Sequence, residues 1–144
     1  MTNSKAKVPA WFWIVSIVAL VWNSLGVMNY LGMVFITPEA FAHLPQNQQD
    51  YYAAIPSWAT AGFAFAVWGG ALGSLLLVFR KSLAHTVLVV SFVGILVQMS
   101  HALFISNSYD VFGPGGLAMT LSIIVVGLLL VLFARSARTK DWIS

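Results

Sequence analysis

Cysteine and charge are the two things this sequence lacks most. The chain of 144 residues contains no cysteine, which excludes disulfide bonds, thiolate metal sites and a cysteine nucleophile. Charged residues make up only 8% of it, whereas soluble domains carry about 25%. A protein with so few charges cannot present a water-facing surface on all sides.

The usual motifs of enzyme chemistry are also missing. There are no paired acids, no Ser–His–Asp set, no phosphate-binding loop and no zinc-ligand spacing. His85 and His101 lie on one predicted helix, 16 residues apart in the sequence. This separation corresponds to ~24 Å at a rise of ~1.5 Å per residue, too far for a shared metal ion or haem. We therefore expect no enzyme activity, no catalytic residue, no metal and no cofactor.

What the sequence does contain is four long apolar runs without a single Asp, Glu, Lys or Arg. They cover residues 11–35, 58–79, 83–105 and 114–133. A hydrocarbon core of ~30 Å needs about 20 helical residues, and the helix pairs its own backbone polar groups within each segment. The sequence thus predicts an all-α, integral membrane four-helix bundle, a single transmembrane domain over residues 1–144, with the lipid bilayer as its main partner.

The distribution of charge predicts the orientation of these spans. All basic residues fall on one side of the four spans: Lys5, Lys7, Arg80, Lys81, Arg135, Arg138 and Lys140. The other side carries Glu39, Asp50 and Asp110 and no base. By the positive-inside rule, both termini should be cytoplasmic. The net charge of +3 is explained by this orientation, so nucleic acid is not an expected partner.

The predicted outer loop, residues 36–57, carries helix signals of its own. Thr37 can cap a helix that begins at Pro38, and Pro45 and Pro56 bracket a second short helical segment. Two interpretations stay open. The loop either folds over the outer end of the bundle or is an ordinary surface loop. The first predicts that four side chains face the bundle: Phe41, Leu44, Tyr51 and Ile55.

The second span carries a stripe of small residues at four-residue intervals. The stripe consists of Gly62, Ala66, Gly70 and Ser74. Small residues at this spacing let helix backbones approach closely and mark helix–helix interfaces in membranes. The contact can lie within one bundle or between two copies of the chain. We favour packing within one bundle, because such contacts are routine there.

Polar side chains inside the apolar runs form the candidate site. Gln98 and His101 share one face of the third span because they are three residues apart, and Asn23 lies near the middle of the first. An unpaired amide in hydrocarbon costs several kcal/mol, so these side chains should point inward. They either form interhelical hydrogen bonds, each contributing about 0.6 kcal/mol, or line an outward-opening polar pocket with Trp22 or Trp68 as a stacking surface.

Several segments resemble a family of small bacterial four-helix membrane proteins. They are Trp11-Phe12-Trp13-Ile14-Val15, Leu20-Val21-Trp22-Asn23, Gly26-Val27-Met28, Ile55-Pro56-Ser57-Trp58-Ala59, Trp68-Gly69-Gly70-Ala71-Leu72-Gly73 and Val97-Gln98-Met99-Ser100-His101. The resemblance covers nearly the whole chain. Members are often labelled sugar transporter. The resemblance implies a multi-pass protein of the bacterial inner membrane and leaves the substrate and the site residues open.

Two classes of function follow from these observations. The first is a binding or transport module for a small polar, sugar-like solute, acting as a homo-oligomer because four helices enclose little space. The alternative is a non-catalytic accessory or scaffold subunit of a membrane complex. Asn23 and Gln98 distinguish the two. Binding predicts that they face a cavity, and scaffolding predicts that they pair with each other and leave no void.

Overall fold

The computed structural model describes residues 7–144, and this part of the chain is helical with no β-strand. Lys5, one of the basic residues used above, lies outside the described residues. The elements in order are α1 (Ala10–Val34), α2 (Pro38–Ala42), α3 (Gln46–Ala53), α4 (Ser57–Val78), α5 (Leu83–Ser100), a π-helical turn (His101–Ile105) and α6 (Ser108–Thr139). The predicted all-α class is confirmed.

Four of these helices are long and apolar enough to cross a membrane: α1, α4, α5 with its π-helical turn, and α6. The first three begin and end within a residue of the predicted spans. The fourth differs, because helix α6 starts at Ser108 and bends at Gly113, whose φ is 69°. Pro114 follows the bend and opens the straight segment, as proline commonly does at a first helical position. The helix then continues beyond Phe133 as far as Thr139.

The long helices pack in sequence order, α1 on α4, α4 on α5 and α5 on α6. The tightest contact joins α4 and α5, where glycines allow the backbones to meet. A Cβ added at Gly94 would lie 2.7 Å from the backbone oxygen of Gly62 and 2.8 Å from the nitrogen of Ala66. Since no real Cβ fits at that distance, the glycine is required for this close approach.

One end of the bundle carries the basic residues, and we call it the basic end. Here α1 meets α6 through aromatic side chains, with 5.5 Å between the ring centres of Phe12 and Phe133. The C-terminal segment also pairs with the turn between α4 and α5. Ser144 donates its N–H to the carbonyl of Arg80 at 3.0 Å and accepts from the N–H of Ser82 at 3.1 Å. The Nε atom of Arg80 donates to the carbonyl of Trp142 at 2.7 Å.

The opposite, acidic end is covered by the two short helices of the loop. The Oγ1 atom of Thr37 accepts from the N–H of Ala40 at 3.2 Å, which caps α2 at its amino terminus. Tyr51 of α3 packs edge-on against Phe112 of α6 at 5.1 Å between ring centres. The remaining side chains expected to face the bundle, Phe41, Leu44 and Ile55, line a cavity shared with α1. The loop therefore folds over this end, and the segment is not a free surface loop.

Candidate functional site

A cavity of about 350 Å³ lies among the four long helices. Most of its walls are aliphatic, aromatic or glycine residues. The polar side chains on its walls are Asn23, Asn29, Ser91 and Gln98, and none of the lining residues is charged. We call this space the central cleft. Its volume falls within the range of about 300–1,000 Å³ typical of small-molecule sites.

Asn23 holds α1 against α4 at the wall of the central cleft. Its Nδ2 atom donates to the carbonyl of Ala19 at 2.9 Å and to the Oγ of Ser74 at 3.2 Å. Both protons of the amide nitrogen are therefore used in packing. The Oδ1 atom lies directly over Gly70, where a Cβ would overlap it. Asn23 is thus an interhelical hydrogen-bonding residue whose side chain also borders the cleft.

Gln98 differs from Asn23 because its amide is unpaired. It lies on the α5 wall of the cleft, half-buried. Within residues 7–144, no hydrogen bond reaches its side chain, and it does not pair with Asn23. The great majority of buried polar groups in proteins have a partner. An unpaired amide facing a cavity is consequently the polar group most available to a ligand here.

The small-residue stripe of α4 lies between α1 and α5. All four of its members are buried. Ser74 accepts from Asn23, and the carbonyl of Ala66 accepts from the Oγ of Ser91 at 2.6 Å. The stripe therefore packs inside this bundle, and the Ser91 hydroxyl is used in that packing.

His101 does not line the central cleft, contrary to the prediction that it shares a pocket with Asn23 and Gln98. It is 6% exposed, and its ring meets the ring of Trp58 edge-on at 5.6 Å. At about 100° per residue, His101 points roughly 110° away from the centre of the α5 face that lines the cleft. It also opens the π-helical turn, where the spacing rule of a regular helix no longer applies.

The two candidate stacking tryptophans have different positions. Trp22 is on the α1 wall of the cleft, beside Asn23. Trp68 is 50% exposed and does not line the cleft. Its neighbours on α4, Phe63 and Val67, do line it. Trp68 points roughly 150° away from the centre of that face, so of the two candidate tryptophans it is Trp22 that borders the cleft.

A second cavity of about 660 Å³ lies under the loop at the acidic end, between α1 and side chains such as Phe41 and Tyr52. Asn29 lines both this cavity and the central cleft, so the two spaces adjoin at its side chain. Burial and the adjacent Tyr51 raise the pKa of Tyr52 above its usual value of 10.0. Asn29 was missed in the sequence, although an amide within an apolar run was a sufficient signal.

The described helices define a four-helix bundle with a mainly apolar cleft at its centre, and two amides in the cleft wall, those of Gln98 and Asn29, have no partner among residues 7–144. In comparisons with known proteins, no family model, no curated protein and no solved structure matches the chain.

Proposed function

We propose that this chain is a multi-pass integral membrane protein that binds a small molecule in its central cleft. Four helices of sufficient length and apolarity support the membrane location. The basic residues at one end of the bundle support an orientation with both termini in the cytoplasm. The resemblance to small bacterial membrane proteins points to the inner membrane of a bacterium.

The observation that best supports the binding function is the unpaired side-chain amide of Gln98 in the cleft wall. Mutual pairing of Asn23 and Gln98 without a void would favour a scaffold. Instead, both residues line a cavity of about 350 Å³, and the Gln98 amide has no partner among residues 7–144. An amide left unpaired in a bilayer costs several kcal/mol. A bound molecule that pairs with it would remove that cost. The proposed role involves no catalysis, and it includes transport if the ligand can leave at either face.

The test is substitution of Gln98 by Leu, which keeps the side-chain volume similar and removes both hydrogen-bonding groups. We expect the variant to insert and fold, and to lose the small molecule that co-purifies with the unchanged protein in mild detergent. Native mass spectrometry of the two preparations measures this loss. Ser122→Leu is the matched control, because the exposed Ser122 hydroxyl bonds only to Ala118 of its own helix at 2.7 Å.

An accessory subunit is the second candidate, supported by the same cleft. A partner helix that packed between α1 and α6 would also cover Gln98. In that case the purified complex should contain a stoichiometric protein partner or a second copy of the chain and no small molecule. Detection of that composition in both the unchanged protein and Gln98→Leu would contradict the binding function.

A further inference from the structure

We infer that the ligand of the central cleft is a neutral amphipathic molecule that enters from the bilayer between α1 and α6. Its single small hydroxyl or carbonyl head would pair with Gln98, and its apolar chain would lie along α1 and α6. This inference rests on the proposed binding function and names the class of ligand.

The polar groups of the cleft set a limit on the polarity of the ligand. Asn23 uses its amide protons on Ala19 and Ser74, and Ser91 uses its hydroxyl on Ala66. Within the described residues, this leaves without partners the amides of Gln98 and Asn29 and the Oδ1 atom of Asn23, which packs over Gly70. A sugar carries a hydroxyl on most of its carbons, and each needs a partner once it leaves water. Two amides and one further acceptor oxygen are too few for the hydroxyls of a sugar, but one amide is enough for an alcohol or a ketone.

The absence of charged residues from the lining of the cleft excludes a second class of ligand, those with a charged head group. No Lys, Arg, His, Asp or Glu is among the residues that line the cleft. A charged head group would therefore enter a low-dielectric space without a counter-charge, which is strongly unfavourable. A phosphate or carboxylate head is excluded on this ground, and a neutral one is retained.

The exposed rim of the cleft indicates the route of entry. The helices α1 and α6 touch at the basic end through Phe12 and Phe133, and α3 packs on α6 at the acidic end. Between these contacts, two cleft-lining side chains are largely exposed, Leu25 of α1 at 58% and Met119 of α6 at 55%. The α4 and α5 walls behind them contain the buried residues Ala66 and Ser91. The cleft thus opens sideways between α1 and α6, the direction in which a membrane protein meets lipid chains.

The test uses two photoactivatable probes with the same diazirine-bearing ten-carbon chain, one ending in a hydroxyl and one in a methyl group. With the protein in lipid nanodiscs, the alcohol should label residues 22–29 and 119–130 saturably and roughly tenfold more strongly than the hydrocarbon, the ratio expected from one net hydrogen bond. In Gln98→Leu, the alcohol should label no better than the hydrocarbon, while Ser122→Leu should behave like the unchanged protein.

The route of entry has its own pair of variants. Leu25→Trp places a larger side chain on the rim and should slow the labelling of the cleft several-fold. Val18→Trp is the matched control, since Val18 is 61% exposed, lies seven residues earlier on the same side of α1, and does not line the cleft. Equal labelling rates in the two variants would overturn entry between α1 and α6.

Competition experiments separate failure of this inference from failure of the proposed function. Displacement of the alcohol probe by unlabelled decanol supports the inference. Displacement by octyl glucoside and not by decanol would overturn the neutral single-head class and keep the binding function. Equal labelling by alcohol and hydrocarbon would show that Gln98 does not recognise the head, and would also overturn the inference. Absence of saturable labelling together with absence of any co-purifying small molecule would overturn both.

Discussion

At the scale of single residues, the position of α1 depends on the missing side chain of Gly70. The carbonyl oxygen of the Asn23 amide occupies the space in which a Gly70 Cβ would lie. With its oxygen there, Asn23 reaches Ser74 with its nitrogen. One glycine on α4 therefore supports the polar link between α1 and α4, and this link forms part of the cleft wall.

Replacing Gly70 with alanine should displace the Asn23 side chain and break its bond to Ser74. Overpacking of this kind costs about 1–3 kcal/mol, measurable by thermal or denaturant unfolding in detergent. In an Asn23→Ala background the clash disappears, so the same substitution should cost far less, with a coupling energy of about 1 kcal/mol or more. Gly32→Ala is the control, because no atom outside its own helix lies within 4 Å of the added Cβ. Full additivity of the two changes would contradict the proposed contact.

At the scale of elements, α6 is two helical segments joined at Gly113. The first turns of the helix, from Ser108, pack at the acidic end against α3 and the end of α5. The segment from Pro114 onward has the length and apolarity of a membrane span. Gly113 has φ 69° and ψ −161°, a conformation open essentially to glycine alone. The bend thus allows α6 both to contact the loop helix α3 at the acidic end and to form a wall of the central cleft.

Substituting Gly113 with alanine should destabilise the fold by about 1–3 kcal/mol through backbone strain alone. No atom lies within 4 Å of the added Cβ, so steric contact does not contribute. Gly115 offers a matched control two residues later, in helical backbone and equally open space. Gly115→Ala should change stability by less than about 1 kcal/mol, in the stabilising direction. Similar unfolding temperatures for the two variants would refute the strain argument.

Element type and length were largely predictable from the sequence, and the composition of the site was not. Apolar runs without charge are visible in the local sequence. The bounds of α1, of α4 and of α5 with its π-helical turn therefore differ from the predicted spans by one residue at most. The cleft depends on how far each helix is rotated about its axis, which packing decides. The spacing of a regular helix correctly placed Gln98 at the cleft. His101, however, lies at the π-helical turn and points away from the cleft, and Trp68 lies on the opposite face of α4. Asn29 lines both cavities and was missed, although its amide lies within an apolar run.

At the scale of the whole molecule, charge is separated between the two ends of the bundle. Arg80, Lys81 and Arg135 lie at the basic end, whereas Glu39 and Asp110 lie at the acidic end. The helices between them carry no charged side chain across their apolar windows that could offset this asymmetry. In a membrane, this arrangement favours one orientation over the reverse.

Reporter fusions measure that orientation directly. Alkaline phosphatase fused at residue 45 or at residue 110 should be active, because both positions lie at the acidic end and should face outward. Green fluorescent protein fused after Arg80 or at Ser144 should fluoresce, because both positions should face the cytoplasm. A cytoplasmic signal from residues 36–57 would be incompatible with four spans in this orientation.

The pairing of the C-terminal segment with the α4–α5 turn has a consequence for biosynthesis. Arg80 and its partner Trp142 are 62 positions apart, and a ribosome adds roughly 5–20 residues per second. The turn therefore leaves the ribosome roughly 3 to 12 s before the segment at residues 142–144 that completes its backbone hydrogen bonds. During that interval the α4–α5 hairpin depends on its own glycine contacts, and residues 142–144 complete the hydrogen bonds of the turn only after α6 has been made.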